Sequence, residues 1–214
     1  MSDSSLKQSV LDELQWEPSV DAAHIGVTAK DGIVTLTGDV SSYAEKWAAE
    51  RAAGRVYGVK GIAEEIKVRY PSDKVDDTDI AQKALQVLSW DLDVPPNKVM
   101  VKVEDGWVTL SGTVDWYFQR SAAEADVRKL KGVMGVINNV VITPSVRASD
   151  VRAKIEAAFA RNAEIEEDDI SVTVDGGKVT LIGHVDTWGQ DSLAVDTAWS
   201  APGVTQVVDR LAVG

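Results

Sequence analysis

A chain of 214 residues with 44% hydrophobic content is long and apolar enough to bury a core, which excludes a disordered polypeptide. It has no Cys, which rules out disulfide frameworks, thiolate zinc clusters and cysteine nucleophiles. Lys and Arg number 22 against 34 Asp and Glu, and the resulting net charge of −12 repels phosphate backbones, so no nucleic-acid partner is expected.

The N-terminus, MSDSSLKQSVLDELQWEP, shows no basic region, no apolar h-region and no small-residue cleavage pattern, so the expected location is cytoplasmic. No apolar run approaches the roughly 20 residues that span a bilayer. The first periodic segment places Leu6, Val10 and Leu14 on one helical face, widened by Leu11, with Ser5 as the candidate N-cap. Ile25, Val27 and Ala29 then alternate with polar residues as a strand with one buried face. Asp31-Gly32 tolerates the positive φ of a tight primed turn, and alternation resumes at Val34, Leu36 and Val40, giving a β-hairpin. From Ser42 to Val56 the pattern is helical and Ala-rich; Gly58 is its expected stop, and Ile62 to Val68 forms a third strand.

After a linker from Arg69 to Asp79 containing Pro71, the same order repeats, and it repeats again after Thr143 to Asp150, which contains Pro144. Val-Thr-Leu-x-Gly-x-Val occurs three times, and its glycines, Gly38, Gly112 and Gly183, lie 74 and 71 residues apart. At those offsets Leu6, Ile80 and Val151 coincide, as do Val10, Ala84 and Ile155, then Leu14, Leu88 and Phe159. So do Gly58, Gly132 and Gly203, each followed by Val. Leu85 widens the second helical stripe as Leu11 does the first, and Asp77 or Thr78 and Ser149 are the later N-cap candidates. The hairpin turns recur as Asp105-Gly106 and Gly176-Gly177. The chain is therefore expected to be α+β: three tandem α-β-β-α-β modules over residues 1–70, 77–145 and 149–214, each a three-stranded mixed sheet covered by two helices.

This element order, the x-Val-x-Leu-x-Gly-x-Val centre and the later Gly-Val before alternating aliphatic residues resemble the BON domain, named for an osmotically induced periplasmic protein and nodulation-related proteins of bacteria. The resemblance covers all three copies. It implies a non-catalytic binding protein, with attachment to phospholipid surfaces and roles in osmotic stress, envelope maintenance, transport and secretion.

Glycine in a strand interior marks a bulge or a close backbone approach. Gly38, Gly112 and Gly183 are read as structural, letting a helix pack close to the sheet. Tyr43, Tyr117 and Trp188 share one aligned position near the start of the second helix, flanked in the second copy by Trp116 and Phe118. Such aromatics either cap the module's core or meet a protein or lipid surface. Arg120, Arg128, Lys129 and Lys131 form the strongest cationic cluster, able to meet an anionic headgroup or simply to complement the helix macrodipole. His24 and His184 are not equivalent positions, so no repeated metal site is expected, and Glu164 to Asp169 lacks the glycine and oxygen spacing of a calcium loop.

Among the known catalytic patterns, hydrolase, nucleotide and zinc-protease motifs are all missing, so neither an enzyme nor a cofactor is expected. The partner implied is a phospholipid surface or another protein. A scaffold or homo-oligomer whose seven tryptophans lie partly at contacts between modules or subunits is the alternative.

Overall fold

In each module the strand that carries Val-Thr-Leu lies in the middle of its sheet, its backbone pairing with the first strand on one edge and the third on the other. The computed structural model describes residues 2–70, 75–143, 150–162 and 169–214. The first module runs α1 (Asp3–Trp16), β1 (Ile25–Lys30), β2 (Ile33–Val40), α2 (Tyr43–Gly54) and β3 (Gly61–Val68). The second runs α3 (Asp77–Trp90), β4 (Val99–Glu104), β5 (Trp107–Val114), α4 (Tyr117–Arg128) and β6 (Gly135–Ile142). The third runs α5 (Val151–Phe159), β7 (Ile170–Asp175), β8 (Lys178–Val185), α6 (Trp188–Trp199) and β9 (Gln206–Val213).

Three separate sheets result, ordered β1-β2-β3, β4-β5-β6 and β7-β8-β9. The hairpins are antiparallel and keep one register, with Ile25 opposite Gly38, Val99 opposite Gly112 and Ile170 opposite Gly183. The third strands of the later modules run parallel to the middle one, pairing Trp107 with Gly135 and Lys178 with Gln206. Each interior draws on matching positions: Val34 and Leu36, Val108 and Leu110, Val179 and Leu181 are all buried. The first-helix stripe buries Leu6, Val10 and Leu14, then Ile80, Ala84 and Leu88, then Val151, Ile155 and Phe159. Leu85, expected on that stripe, is exposed instead, because three or four residues per two turns already fill the width facing the sheet.

Helix starts differ from the sequence expectation by a few residues. Ser2 caps α1 by accepting from the Ser5 amide at 3.2 Å, and Asp76 caps α3 by accepting from Thr78 at 2.7 Å. Asp77 serves another purpose: its carboxylate accepts from the Asp105 and Gly106 amides of the hairpin turn, as Asp3 accepts from Asp31. The third helix begins after Asp150, while Ser149, Pro71, Pro144 and residues 164–168 lie outside the described residues.

The second helices also end earlier than Gly58, Gly132 and Gly203, which sit in the turn beyond them. There each glycine faces the hairpin turn, and the amide two residues on donates to it: Lys60 to Gly32, Met134 to Gly106 and Thr205 to Gly177. These bonds join the hairpin turn to the chain that enters the third strand.

The middle-strand glycines hold φ of 120°, 128° and 154°, and a Cβ on them would collide with the backbone carbonyl of His24, Lys98 or Asp169. A carbonyl just before the first strand, not a helix, thus occupies the space, as at a bulge where backbone approaches backbone.

Residue packing divides the chain into two units. One contains the third module with most of the first; the other contains the second module, Ser41–Ala44 and the chain from Val68.

Candidate functional site

The aligned aromatic position at the start of the second helix has three different fates. Within the first unit Trp188 retains 37% exposure and stacks its Cβ 3.4 Å from where a side chain on Gly54 would begin, so the start of α6 packs on the end of α2. Within the second unit Tyr43 is half-buried, and the neighbouring Tyr70 hydroxyl donates to the Val133 carbonyl. Burial pushes the Tyr70 phenol up, against hydrogen bonds to backbone at Gly132 and Tyr43 that favour ionisation. Tyr117 and Trp116 are half-buried, and the Gln119 side chain accepts from the Asp115 and Trp116 amides to close the helix start. Phe118 is the aromatic that faces outward, at 51% exposure.

The four cations also separate. Arg120 donates to the Asn138 carbonyl at 3.3 Å, and the Asn138 amide returns a bond to the Arg120 carbonyl at 3.0 Å and another to Glu124 at 3.1 Å. Arg128 pairs with Glu124 at 2.7 Å and is largely buried. Arg120 therefore fastens α4 to β6 and Arg128 is tied within α4, which leaves Lys129 and Lys131 as the exposed cations of the four. Lys129 itself attracts Asp126, whose carboxyl is pushed up to about 6 by burial and by a hydrogen bond and repulsion from Asp91.

The Arg120–Asn138 pairing occupies a position that all three modules fill differently. In the first module Lys46 pairs with Glu64 at 2.8 Å and donates to the Ile66 carbonyl at 2.7 Å. In the third, Asp191 meets Asp209, and burial, then the charge and hydrogen bond of Asp209, push Asp191 up to about 6.

A surface not singled out from sequence stands out in the second module. On the face of β4-β5-β6 away from the helices, Met100, Trp107, Ile137 and Val141 are exposed by 45–63%, and the Trp107 ring lies across the space a side chain on Gly135 would need. The equivalent positions are Gly26, Ile33, Ala63 and Lys67 in the first module and Ser171, Lys178, Val208 and Ala212 in the third. Among the described residues thirteen large apolar side chains are exposed, and eight of them belong to the second module. Lys102 and Glu104 on the same face pair at 2.8 Å, so its charges cancel. The signal was present in the sequence: comparing the outward strand positions across the three copies, rather than the shared inward ones, isolates this face.

Among the described residues no cluster of three His, Cys, Asp or Glu is placed to hold a metal, and no helix is long and apolar enough to cross a membrane. His24 lies 3.2 Å from Asp21 on the exposed turn before β1.

The BON domain profile matches three times, over residues 2–70, 76–144 and 147–214. Osmotically-inducible protein Y of Escherichia coli (strain K12) is 32% identical over 149 residues, covering 65% of this chain and 72% of that protein. Among solved structures, two of CdsD, a structural protein of the type III secretion system of Chlamydia trachomatis, align at 18% and 16% identity. They cover 98% and 100% of this chain and 92% and 98% of theirs, with TM-scores of 0.27, too low to carry an argument.

Proposed function

Because the chain belongs to the BON domain family, with three copies filling nearly all of it, we propose that it is a non-catalytic binding protein of osmotic or envelope stress that docks on phospholipid surfaces through its second module. The relative induced by osmotic conditions supports the physiological half of this reading. One observation carries the rest: Met100, Trp107, Ile137 and Val141 make four large apolar side chains on one open face, where the first module has one, Ile33, and the third has Val208 among small or polar residues. A sheet face of this kind adsorbs by removing apolar area from water, at about 25 cal/mol per Å².

The charge of the protein sets the mode of docking. With a net charge of −12, and with Arg120 and Arg128 committed to internal bonds, the field of the protein as a whole opposes anionic lipid. Adsorption therefore depends on apolar area, not on headgroup charge.

Vesicle flotation tests this directly. The protein is expected to float with pure phosphatidylcholine vesicles, to gain nothing from added phosphatidylglycerol, and to bind at least as well at about 150 mM salt as at about 20 mM, because salt screens the repulsion. The variant Met100→Ser, Trp107→Lys, Ile137→Ala, Val141→Lys borrows each residue from a sister module, so it is expected to fold and to stay unbound. Failure of the unaltered protein to float with either composition ends the lipid reading. A dimer seen by light scattering without vesicles, and lost in this variant, would instead favour a self-assembling scaffold that uses the same face.

A further inference from the structure

Each module fastens its second helix to its third strand at one equivalent pair of positions. The strand member always uses a side-chain oxygen to accept from the amide two residues on: Glu64 from Ile66, Asn138 from Val140 and Asp209 from Leu211. The helix member differs. Lys46 and Arg120 bring a cation to that oxygen-rich corner, whereas Asp191 brings a second carboxyl, 8% exposed, beside the more exposed carboxyl of Asp209.

Two carboxylates at hydrogen-bond range cannot both be ionised without strong repulsion, and burial sharpens the penalty. Among the described residues the buried neighbours of α6 on the elements packed against it are apolar, while Lys178 and His184 of β8 and Arg152 and Lys154 of α5 are exposed. From β8 come Val179, Leu181 and Val185, and from α5 come Val151, Ile155 and Phe159. Arg210 and Asp196 are exposed, Arg210 on the outward face of β9. Arg55, which approaches Gly189 from the first module, is held by Glu13 and Glu17 at 2.9 and 3.1 Å.

We propose that the third module carries an acid-closed latch: a proton shared by Asp191 and Asp209 fastens α6 to β9, and its loss near neutral pH loosens that helix. The start of α6 carries Trp188 and Gly189, which lie against Gly54 and Arg55, so the latch also governs the contact of the third module with the end of α2. The sign follows from linkage. Asp191 is raised from the usual 3.8 to about 6, so the folded module binds the proton more tightly than the unfolded chain. Its contribution is complete below 3.8 and is lost as pH rises through about 6. Mild acidification therefore tightens the third module.

Peptide-resolved hydrogen exchange of the full chain at about pH 5 and about pH 7.5, corrected for the intrinsic pH dependence of exchange, tests the latch. Peptides of α6 and β9 are expected to lose protection by about tenfold or more at the higher pH, since one unit of pKa is a factor of ten. Peptides of β1 and β2 serve as the control within the same sample and are expected to hold. Asp191→Asn, which mimics the protonated form, is expected to keep α6 protected at both pH values. Asp191→Lys, which rebuilds the Lys46–Glu64 arrangement, is expected to do the same, and it decides the matter if the Asn variant fails to fold. Equal protection of α6 at both pH values in the unaltered chain, or a pH response that survives in the Lys variant, overturns the proposal. The lipid reading is untouched by either result, because it depends on the second module.

Discussion

Replacing Gly112 by alanine puts a methyl group into the Lys98 carbonyl at a φ of 128°, where both the collision and the backbone conformation are unfavourable. The expected loss is about 2–4 kcal/mol, read as a lower urea midpoint and as lost exchange protection in β4 and β5. Gly176→Ala is the matched control: its φ is 60° and nothing lies within 4 Å of the added methyl, so a loss of about 1 kcal/mol is expected. Equal costs at the two positions would show that chain conformation alone, and not the crowded carbonyl, demands glycine there. The position of this glycine was legible from the three Val-Thr-Leu segments, but its reason was not. Sequence marks a residue as small and does not say which backbone fills the space. Helix caps show the same gap. Asp77 and Ser5 have the right chemistry for capping, yet Asp77 is spent on the hairpin amides and Ser2 and Asp76 do the capping.

At the scale of elements, the joint between first and second helix in the first module is built on ion pairs, in contrast to the acid pair of the third. Arg55 reaches from the end of α2 to Glu13 and Glu17 at the end of α1. Hydrogen bonds from Ser19 and from Arg55 hold Glu17 below its usual 4.5. A depressed carboxyl stabilises the fold above its unfolded value and loses that contribution as pH falls through its folded one, so this joint weakens below 4.5 while the latch of the third module tightens. Arg55 is 42% exposed, and the pair is expected to contribute no more than about 1 kcal/mol. Arg55→Met should therefore flatten the acid-side loss of protection in α1 peptides and leave α6 unchanged; an α1 response to acid identical to that of the unaltered chain would contradict this. Such pairings were out of reach for the sequence alone. Lys46 and Glu64 lie on different elements, and whether they meet depends on the rotation of the helix about its axis, which the apolar stripe fixes only coarsely. What was legible was the order of elements, because periods of 3.6 and 2 are properties of contiguous residues.

Across the whole molecule the three modules keep their interiors and diverge on their outer faces. Shared inward positions such as Val34, Val108 and Val179 explain why one fold appears three times, and they say nothing about what each copy touches. On the proposed reading the differences carry the docking, and they can be moved. The first module already has Gly61 where the second has Gly135, the residue over which Trp107 lies, so its open face has room for an aromatic ring. Ile33→Trp, Ala63→Ile and Lys67→Val would therefore give the first module most of the second module's open face without disturbing its core. Two independent docking faces raise the apparent affinity for phosphatidylcholine vesicles by about twofold on statistics alone, and by far more if both engage one bilayer, because the second contact then forms at high effective concentration. The readout is a vesicle titration of the triple variant beside the unaltered chain, with circular dichroism to establish that both are equally folded. A folded variant whose titration curve does not move would mean that an apolar sheet face is insufficient for docking, and that binding needs some feature of the second module which these three residues do not transfer.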